Sequence, residues 1–352
     1  MSGSKVKSTL YMLKAEHGDA FHLEVTDGEK TTNIIIDSGT QGSYLSAFKP
    51  LIDKIDKVDL CIITHFDEDH SKGLSSYLSE DIFHISKFEE LWLNCPDLIN
   101  ISLAPEISAY SQCHDIGMYL TEYEKQNGIK VLCHDEIIAG HTYSDSNGLV
   151  KVTVLSPTIE SKKDFVEKYK KIYPDEEISA KDKRQTLTRS LEDWSTINLP
   201  SKYHKKQIVN DCSIACLIET KDKSYLMLGD IREEIVLPWL VNYKEENGHN
   251  LKVDFLKVPH HGSMCNMSEK LLNLVDCNKY IISTNGRYSL PDRYTIAKIL
   301  MSIPPSKREK ITLYFNYDRK SMECNYRACF LKDEEALSGK YNFEIIIAGL
   351  CL

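Results

Sequence analysis

Short apolar runs recur along the whole chain, each closed by polar or turn-forming residues. Twelve read as strands: 8–14 (STLYMLK), 20–25 (AFHLEV), 33–37 (NIIID), 58–64 (VDLCIIT), 90–94 (ELWLN), 150–156 (VKVTVLS), 213–219 (SIACLIE), 224–230 (SYLMLGD), 253–259 (VDFLKVP), 279–284 (KYIIST), 311–315 (ITLYF) and 343–348 (FEIIIA). Between them, helix-like patterns lie around 43–56, 107–126, 231–245, 268–275 and 293–302. The polar connections AEHGD and TDGEKTT are short, which predicts antiparallel pairing of the first three strands. So many strands with interspersed helices predict one large mixed α/β domain of two packed sheets, not two separable domains.

One segment breaks the rhythm. Residues 160–206 are highly charged and poor in strand signals, and Lys and Arg outnumber the acids there. Such a stretch is either a solvated helical excursion or a lid or substrate arm. Tyr169, Tyr173, Trp194 and Tyr203 are interleaved with the basic residues, a composition suited to a nucleic-acid strand.

Composition adds bounds. A hydrophobic content of 42% and a mean hydropathy of -0.33 describe an ordinary soluble globular chain. No apolar run approaches the roughly 18 residues of a membrane span, and the N-terminus MSGSKVKSTLYML lacks the apolar core of a signal peptide. Eleven scattered cysteines, with no CxxC pair, argue against a disulfide framework or a cysteine zinc site. The expected location is therefore cytoplasmic, with no membrane partner. A net charge of -9 gives no global attraction to nucleic acid, although a local basic patch or bound cations can supply it.

The candidate chemistry sits at strand ends. Directly after 58–64 comes THFDEDH, with Asp67, Glu68 and Asp69 between His65 and His70. Carboxylates this close repel one another, so the stretch is either a solvated acidic turn or a place where something positive sits. On a loop leaving a strand, His65, Asp67, Asp69 and His70 could converge on one or two divalent cations. Two further apolar runs end in ligand-type side chains: SYLMLGD on Asp230, and VDFLKVPHHGS on His260 and His261. A tandem His-His-Gly after a buried strand and a proline has little packing rationale, and three such strand ends favour a metal centre. Cys212 and Cys216 alternate on a strand and read as core, whereas Lys257 and Ser263 read equally well as phosphate contacts or as turn and surface residues.

These residues carry a resemblance. THFDEDH resembles the HxHxDH signature of the metallo-β-lactamase superfamily, in the variant whose second histidine is aspartate. IIIDSG (34–39), LMLGD (226–230) and LKVPHHGS (256–263) resemble its other landmarks. Their order and spacing, from about residue 8 to 292, are most similar to the branch containing the hydrolase domain of bacterial DNA-uptake channel proteins, with insertions at 97–148 and 158–207. The resemblance implies an αββα sandwich of two mixed β-sheets flanked by helices. It implies that His65 and Asp67 hold one metal and Asp69 and His70 the other, with Asp230 bridging. His260 matches the last histidine ligand, His261 binds the second ion or protonates the leaving oxygen, and Asp37 orients the loop from behind. Asp69 and His261 take the catalytic roles.

Two positions depart from the family pattern. The histidine expected before the GD strand is replaced by VNDCS, which leaves Asn210 or Asp211 in its place; His141, in AGHTYS, has the familiar text before the wrong strand. The His-Pro pair expected after STNG reads SLPD, with Leu290 for histidine. More oxygen ligands make the site harder, which moves the expected pair of divalent ions from zinc towards manganese, with zinc still accepted. Two such cations generate a bridging hydroxide at neutral pH and stabilise attacking and leaving oxygens, which suits a phosphodiester. The expectation is a dinuclear metal-dependent phosphodiesterase, a nuclease on DNA. The alternatives are a small ester or lactone hydrolase, or a metal-stabilised non-catalytic subunit of a defence-type complex with a partner protein.

Overall fold

The alternation of the apolar runs is what builds the layers. In the computed structural model, which describes residues 5–94, 108–127, 137–171, 189–197, 207–304, 306, 308–326 and 331–347, the first sheet has the order β1-β2-β3-β4-β5. These strands are β1 (Lys7–Met12), β2 (Phe21–Thr26), β3 (Thr31–Ile36), β4 (Leu60–Ile62) and β5 (Leu91–Trp92). The two tight turns make β1, β2 and β3 antiparallel, as their polar sequences predict, and β3, β4 and β5 then run parallel.

The second sheet is assembled from β6 (Thr142–Ser144), β7 (Val150–Ser156), β8 (Ala215–Thr220), β9 (Ser224–Met227), β11 (Phe255–Lys257), β13 (Lys279–Ile282), β14 (Ile311–Phe315) and β15 (Phe343–Ile347). Its order is β15-β14-β13-β11-β9-β8-β7-β6. Strands β9, β11, β13, β14 and β15 are parallel, and β6 to β9 pair antiparallel. A small separate pair joins β10 (Leu251–Lys252) to β12 (Val275–Asp276). All twelve strand-like runs of the sequence contain a strand. The short β6, β10 and β12 lie outside those runs.

Three apolar layers follow from the period of two. Ile34, Ile36, Leu60 and Ile62 of the first sheet meet Cys216, Ile218, Tyr225, Met227, Phe255 and Ile281 of the second. Their immediate neighbours Ile35, Cys61 and Ile63 face outward beneath helices Lys49–Lys54, Glu68–Glu80 and Ser108–Asn127. Leu217, Leu226, Leu256, Tyr280 and Ile282 face outward on the other side, beneath helices Glu233–Asn247 and Arg293–Met301. Both faces of both sheets are thus covered, and the fold is an αββα sandwich of two mixed sheets flanked by helices.

Helices also occupy ground that the sequence left as loop. The loop expected over His65–His70 is cut short, because helix Glu68–Glu80 begins within it; Asp67 is its N-cap, and Glu68 and Asp69 lie in the first turn. Acids at a helix N-terminus offset the positive end of the peptide dipoles. In the charged segment, helices Ile159–Lys171 and Leu191–Thr196 are formed. Trp194, which either reading of this segment would leave in solvent or on a substrate arm, is buried against Tyr294 in the outer core. Tyr173 and Tyr203 lie outside the described residues, as do parts of both expected insertions. Among the described residues, no helix is long and apolar enough to cross a membrane.

Candidate metal centre

Five strands deliver the site from the same edge of the sandwich. β3 runs out into Asp37, β4 into Thr64 and His65, β9 into Asp230, β11 into His260 and His261, and β13 into Ser283. These are carboxyl ends of parallel strands, where helices and loops leave a crevice. The β1–β2 turn opens at the same edge, because Phe21 pairs with Ile36 at the end of β3. It brings Asp19 in, with its backbone N–H donating to Asp69 O at 3.1 Å. Gly18 is required there: a Cβ would stand 1.8 Å from the carbonyl oxygen of Asp69.

Adjacent residues on a strand point to opposite sides, yet His260 and His261 both reach the site. The backbone manages this by leaving extended geometry. His260, His261 and Gly262 take φ of 48°, 53° and 88° in succession. The turn is pinned by His260 N–H on Gly229 O at 3.1 Å and Ser263 N–H on His260 O at 2.8 Å.

Each of four imidazoles has its Nδ1 engaged from behind. His70 Nδ1 donates to Asp37 Oδ2 at 2.8 Å, and His261 Nδ1 donates to Ser283 O at 2.9 Å. His65 Nδ1 lies 3.0 Å from Thr64 Oγ1, whose own hydrogen goes to Asp37 Oδ2 at 2.8 Å, so the ring is the donor. His260 Nδ1 lies 3.1 Å from Asn266 Oδ1. The Asn266 amide is oriented by Nδ2 donating to the carbonyls of Asp230 and Ile231, so its oxygen must face His260. A proton held on Nδ1 leaves the lone pair on Nε2. The Nε2 atoms of His65, His70 and His261 are buried with no hydrogen-bond partner.

The Nε2 atoms of His70, His261 and His260 converge on Asp230. Its Oδ2 lies 3.3 Å from His70 Nε2, 3.5 Å from His261 Nε2 and 3.8 Å from His260 Nε2. Asp69 Oδ2 is 3.4 Å from His261 Nε2, and Asp67 Oδ2 is 3.4 Å from His65 Nε2. Two triads, His65–His70–Asp230 and Asp69–His70–His261, each place three ligand atoms within 4.8 Å of one another; Asp19 forms two more, with Asp230 and His261 and with Asp37 and His70. Orphaned buried nitrogens beside carboxylates are the donor set of a divalent cation, and a group of this kind fits the residues present.

The electrostatics agree. Burial alone would raise the Asp230 pKa, but His70, His261, His260 and Lys257 hold it well below the usual carboxylate range. Burial disfavours a charged His70, yet Asp230, Asp37 and Asp69 outweigh it and push its pKa well up. A field that favours a proton on a buried imidazole favours a divalent cation beside it still more. Lys257, read as a phosphate contact or a surface residue, is buried: its ammonium pairs with Asp19 and lies 3.4 Å from Asp230 Oδ1 and 2.8 Å from Gly229 O. Against the cost of burial, Lys257 and His261 hold Asp19 down at about 2.

The expected residues therefore fall into groups. His65, Asp69, His70, Asp230 and His261 come together in the buried cluster, with Asp37 behind two of the histidines. Asp69 is 20% accessible, and Asp67 and His260 are the most exposed members, with side chains 39% and 27% accessible. Asp211 is the correction: its carboxylate is taken by Arg232, with Nε–Oδ1 and Nη2–Oδ2 both at 2.6 Å, which leaves it committed to a buried ion pair. Asn210 is the neighbour that approaches the site, 3.4 Å from His260 Nδ1. His141 packs edge-on against Trp92 instead. Asp19, Asn266 and Ser283 were missed; the GDA text of the first turn was the one available signal for Asp19, and it read equally well as a hairpin.

No protein-family model matches the chain, and no curated protein matches it in sequence. Solved structures similar to it include CmlA, a diiron β-hydroxylase from Streptomyces venezuelae, at 12% identity and a TM-score of 0.40 over 96% of this chain and 53% of that one. The chain thus spans about half the length of that hydroxylase. A putative metal-dependent hydrolase from Parabacteroides distasonis matches at 13% identity and a TM-score of 0.36, over 97% of both chains. The metallo-β-lactamase fold protein YhfI from Bacillus subtilis matches at 9% identity and a TM-score of 0.38, over 98% of this chain and 99% of that one. These structural neighbours are metallo-β-lactamase fold and metal-dependent proteins; the αββα architecture of the present chain stands on its own strand order and apolar layers.

Proposed function

We propose that this protein is a dinuclear metal-dependent hydrolase that cleaves phosphodiesters, with DNA as its substrate. The observation that carries the reading is the set of four imidazoles, each engaged at Nδ1, with the Nε2 of His70, His260 and His261 within 3.8 Å of Asp230 Oδ2 and that of His65 3.4 Å from Asp67 Oδ2. His65, Asp67, His260 and Asp230 would hold one ion and Asp69, His70, His261 and Asp230 the other, with manganese or zinc in both. When bound, two such ions supply an acidified water at neutral pH and neutralise charge building on the phosphoryl oxygens.

The protein's own side chains support hydrolysis by water. Burial pushes the Cys212 and Cys216 thiols up to about 12, which removes them as nucleophiles. Asp37 and Thr64 fix the tautomers of His70 and His65, so neither ring can turn when substrate charge arrives. With its Nδ1 proton held by Ser283 O, His261 has one free nitrogen, Nε2, which either completes the inner cluster as a ligand or, when protonated, donates to a leaving oxygen. Asp67 and His260, the most exposed members, mark the side from which a diester enters. An acidic protein accepts a polyanion only if cations offset its carboxylates, and two bound divalent cations would do so here. The order of motifs that resembles the DNA-uptake branch points to DNA among the polymers.

The test is incubation of purified protein with linear and circular, single- and double-stranded DNA and with manganese or zinc, beside Asp69→Ala. Expected is metal-dependent degradation that falls to background in the variant. Intact DNA in every combination, with metal bound, would refute the reading and favour a partner-binding subunit.

A further inference from the structure

The loop after β13 presents two side chains that the metal cluster does not use. Within it Gly286, Tyr288 and Ser289 take φ of 88°, 59° and 60°. Left-handed backbone at two residues with side chains is strained and persists only where the surroundings hold it. Here they do. Ser289 N–H donates to Gly286 O at 3.1 Å and Leu290 N–H donates to Arg287 O at 3.3 Å, while Leu290 itself is buried. The following residue pair clamps the loop onto the histidine turn. Asp292 N–H donates to Gly262 O at 2.9 Å, and the Asp292 carboxylate accepts from Met264 N–H at 2.9 Å. Gly262 leaves no room between them, since a Cβ there would stand 2.5 Å from Pro291 Cβ.

The strained loop holds Arg287 and Tyr288 outward at the rim of the metal centre. Tyr288 is 55% exposed, and the Arg287 guanidinium lies 5.0 Å from its ring centroid. Arg287 Nη1 is also 3.3 Å from His17 Nδ1. His17 stands edge-on to Tyr288, with ring centroids 5.7 Å apart, and directly precedes the Gly18–Asp19 turn that touches Asp69. The pair is thus tied to the cluster from both sides, through His17 and through the His260–Gly262 turn. Among the described residues, no carboxylate lies within ion-pair distance of Arg287, although the neighbouring site is rich in them. A planar, permanently charged donor fork that meets only rings is a good partner for a phosphate.

We propose that Arg287 and Tyr288 form a nucleotide clamp. The guanidinium takes the phosphate next to the scissile one, and the phenol ring stacks an unpaired base. The clamp rests on the phosphodiesterase reading and deepens it, because an exposed ring can stack on a base only where the base has a free face. It makes single-stranded DNA the preferred substrate.

The experiment compares Arg287→Ala, Arg287→Lys and Tyr288→Ala on three substrates: a short single-stranded oligonucleotide, its duplex, and bis(4-nitrophenyl) phosphate, a diester with no flanking nucleotide. Expected is a rise of at least about fivefold in KM for the single strand in each alanine variant. That loss is at least several times larger than the loss on the nitrophenyl diester. Arg287→Lys falls between wild type and Arg287→Ala, since an ammonium keeps the charge and loses the fork. Anisotropy with the labelled single strand in an Asp69→Ala background reads the same loss as weaker binding, without turnover. Equal losses on the oligonucleotide and the nitrophenyl diester would overturn the clamp, as would an unchanged KM for the single strand. If the wild type hydrolyses the small diester while the variants leave oligonucleotide KM unmoved, the clamp alone falls. If the wild type cleaves none of the three, the phosphodiesterase reading falls and takes the clamp with it.

Discussion

Asp37→Asn separates a carboxylate that orients the ligands from one that merely fills space. The position has φ of 59°, and Asn tolerates left-handed backbone as well as any residue with a side chain, so the backbone is undisturbed. The two carboxylate oxygens have distinct tasks. Oδ1 accepts from Thr64 N–H at 2.7 Å, and Oδ2 accepts from His70 Nδ1 at 2.8 Å and from Thr64 Oγ1 at 2.8 Å. An amide has one oxygen to offer. If it stays on the Thr64 backbone, an NH2 group faces His70 Nδ1 and drives the imidazole proton to Nε2, where a ligand lone pair is needed. If it faces His70, the buried Thr64 N–H meets a donor and is left unsatisfied. A carboxylate behind a metal-ligating histidine is worth about 10–100-fold in metal affinity, or about 1.4–2.7 kcal/mol. Titration calorimetry with manganese and zinc measures the loss directly, and a urea melt of the metal-free variant reports whether the fold is intact. Ring-nitrogen chemical shifts of His70 give the tautomer independently. Metal affinity within about twofold of wild type, in a folded variant, would refute the tautomer argument.

Three other outcomes follow from the same geometry. Arg232→Met removes the guanidinium paired with the buried Asp211 carboxylate and lowers stability by about 3–5 kcal/mol in a urea melt, whereas Asp211→Asn leaves the bound-metal count by elemental analysis unchanged; a lost ion would return Asp211 to the ligand set. Dialysis against a chelator removes the stabilisation that ligand binding confers, about 2.7 kcal/mol when free metal stands at 100 times its Kd, and adding manganese or zinc back restores the melting midpoint. Cys61, Cys212 and Cys216 are buried, and burial raises all three thiol pKa values. Peptides carrying them stay unmodified when the native protein meets an alkylating reagent at pH 8 and react fully after unfolding; rapid native labelling would show that the core around the labelled cysteine is open.

The sequence by itself determined the layers. Strand and helix faces are local properties, with periods of two and 3.6 residues, and each of the twelve apolar runs contains a strand whose apolar side chains leave water on one face at the sheet edges and on both in the middle. It also marked His65, Asp69, His70, Asp230, His260 and His261, because ligand-type residues at the end of a buried strand have no packing reason to be there. What it could not determine is which polar groups meet across the sandwich. Asp19 reads as part of a hairpin turn and becomes a site residue only because β1 and β2 pair beside β3. Asp211 reads, with Asn210, as a candidate for the missing ligand and is drawn to Arg232, twenty-one positions away, because a guanidinium meets both of its oxygens at once. Lys257 reads equally as a phosphate contact or a surface residue and is buried among carboxylates that neutralise it. Asn266 and the Ser283 carbonyl, which set the tautomers of His260 and His261, carry no signal of their own. A hydrogen bond is decided by where two backbones come to rest, and contacts such as Ser283 Oγ on Gly18 O join positions 265 residues apart. Only packing the two sheets against each other brings those partners within reach.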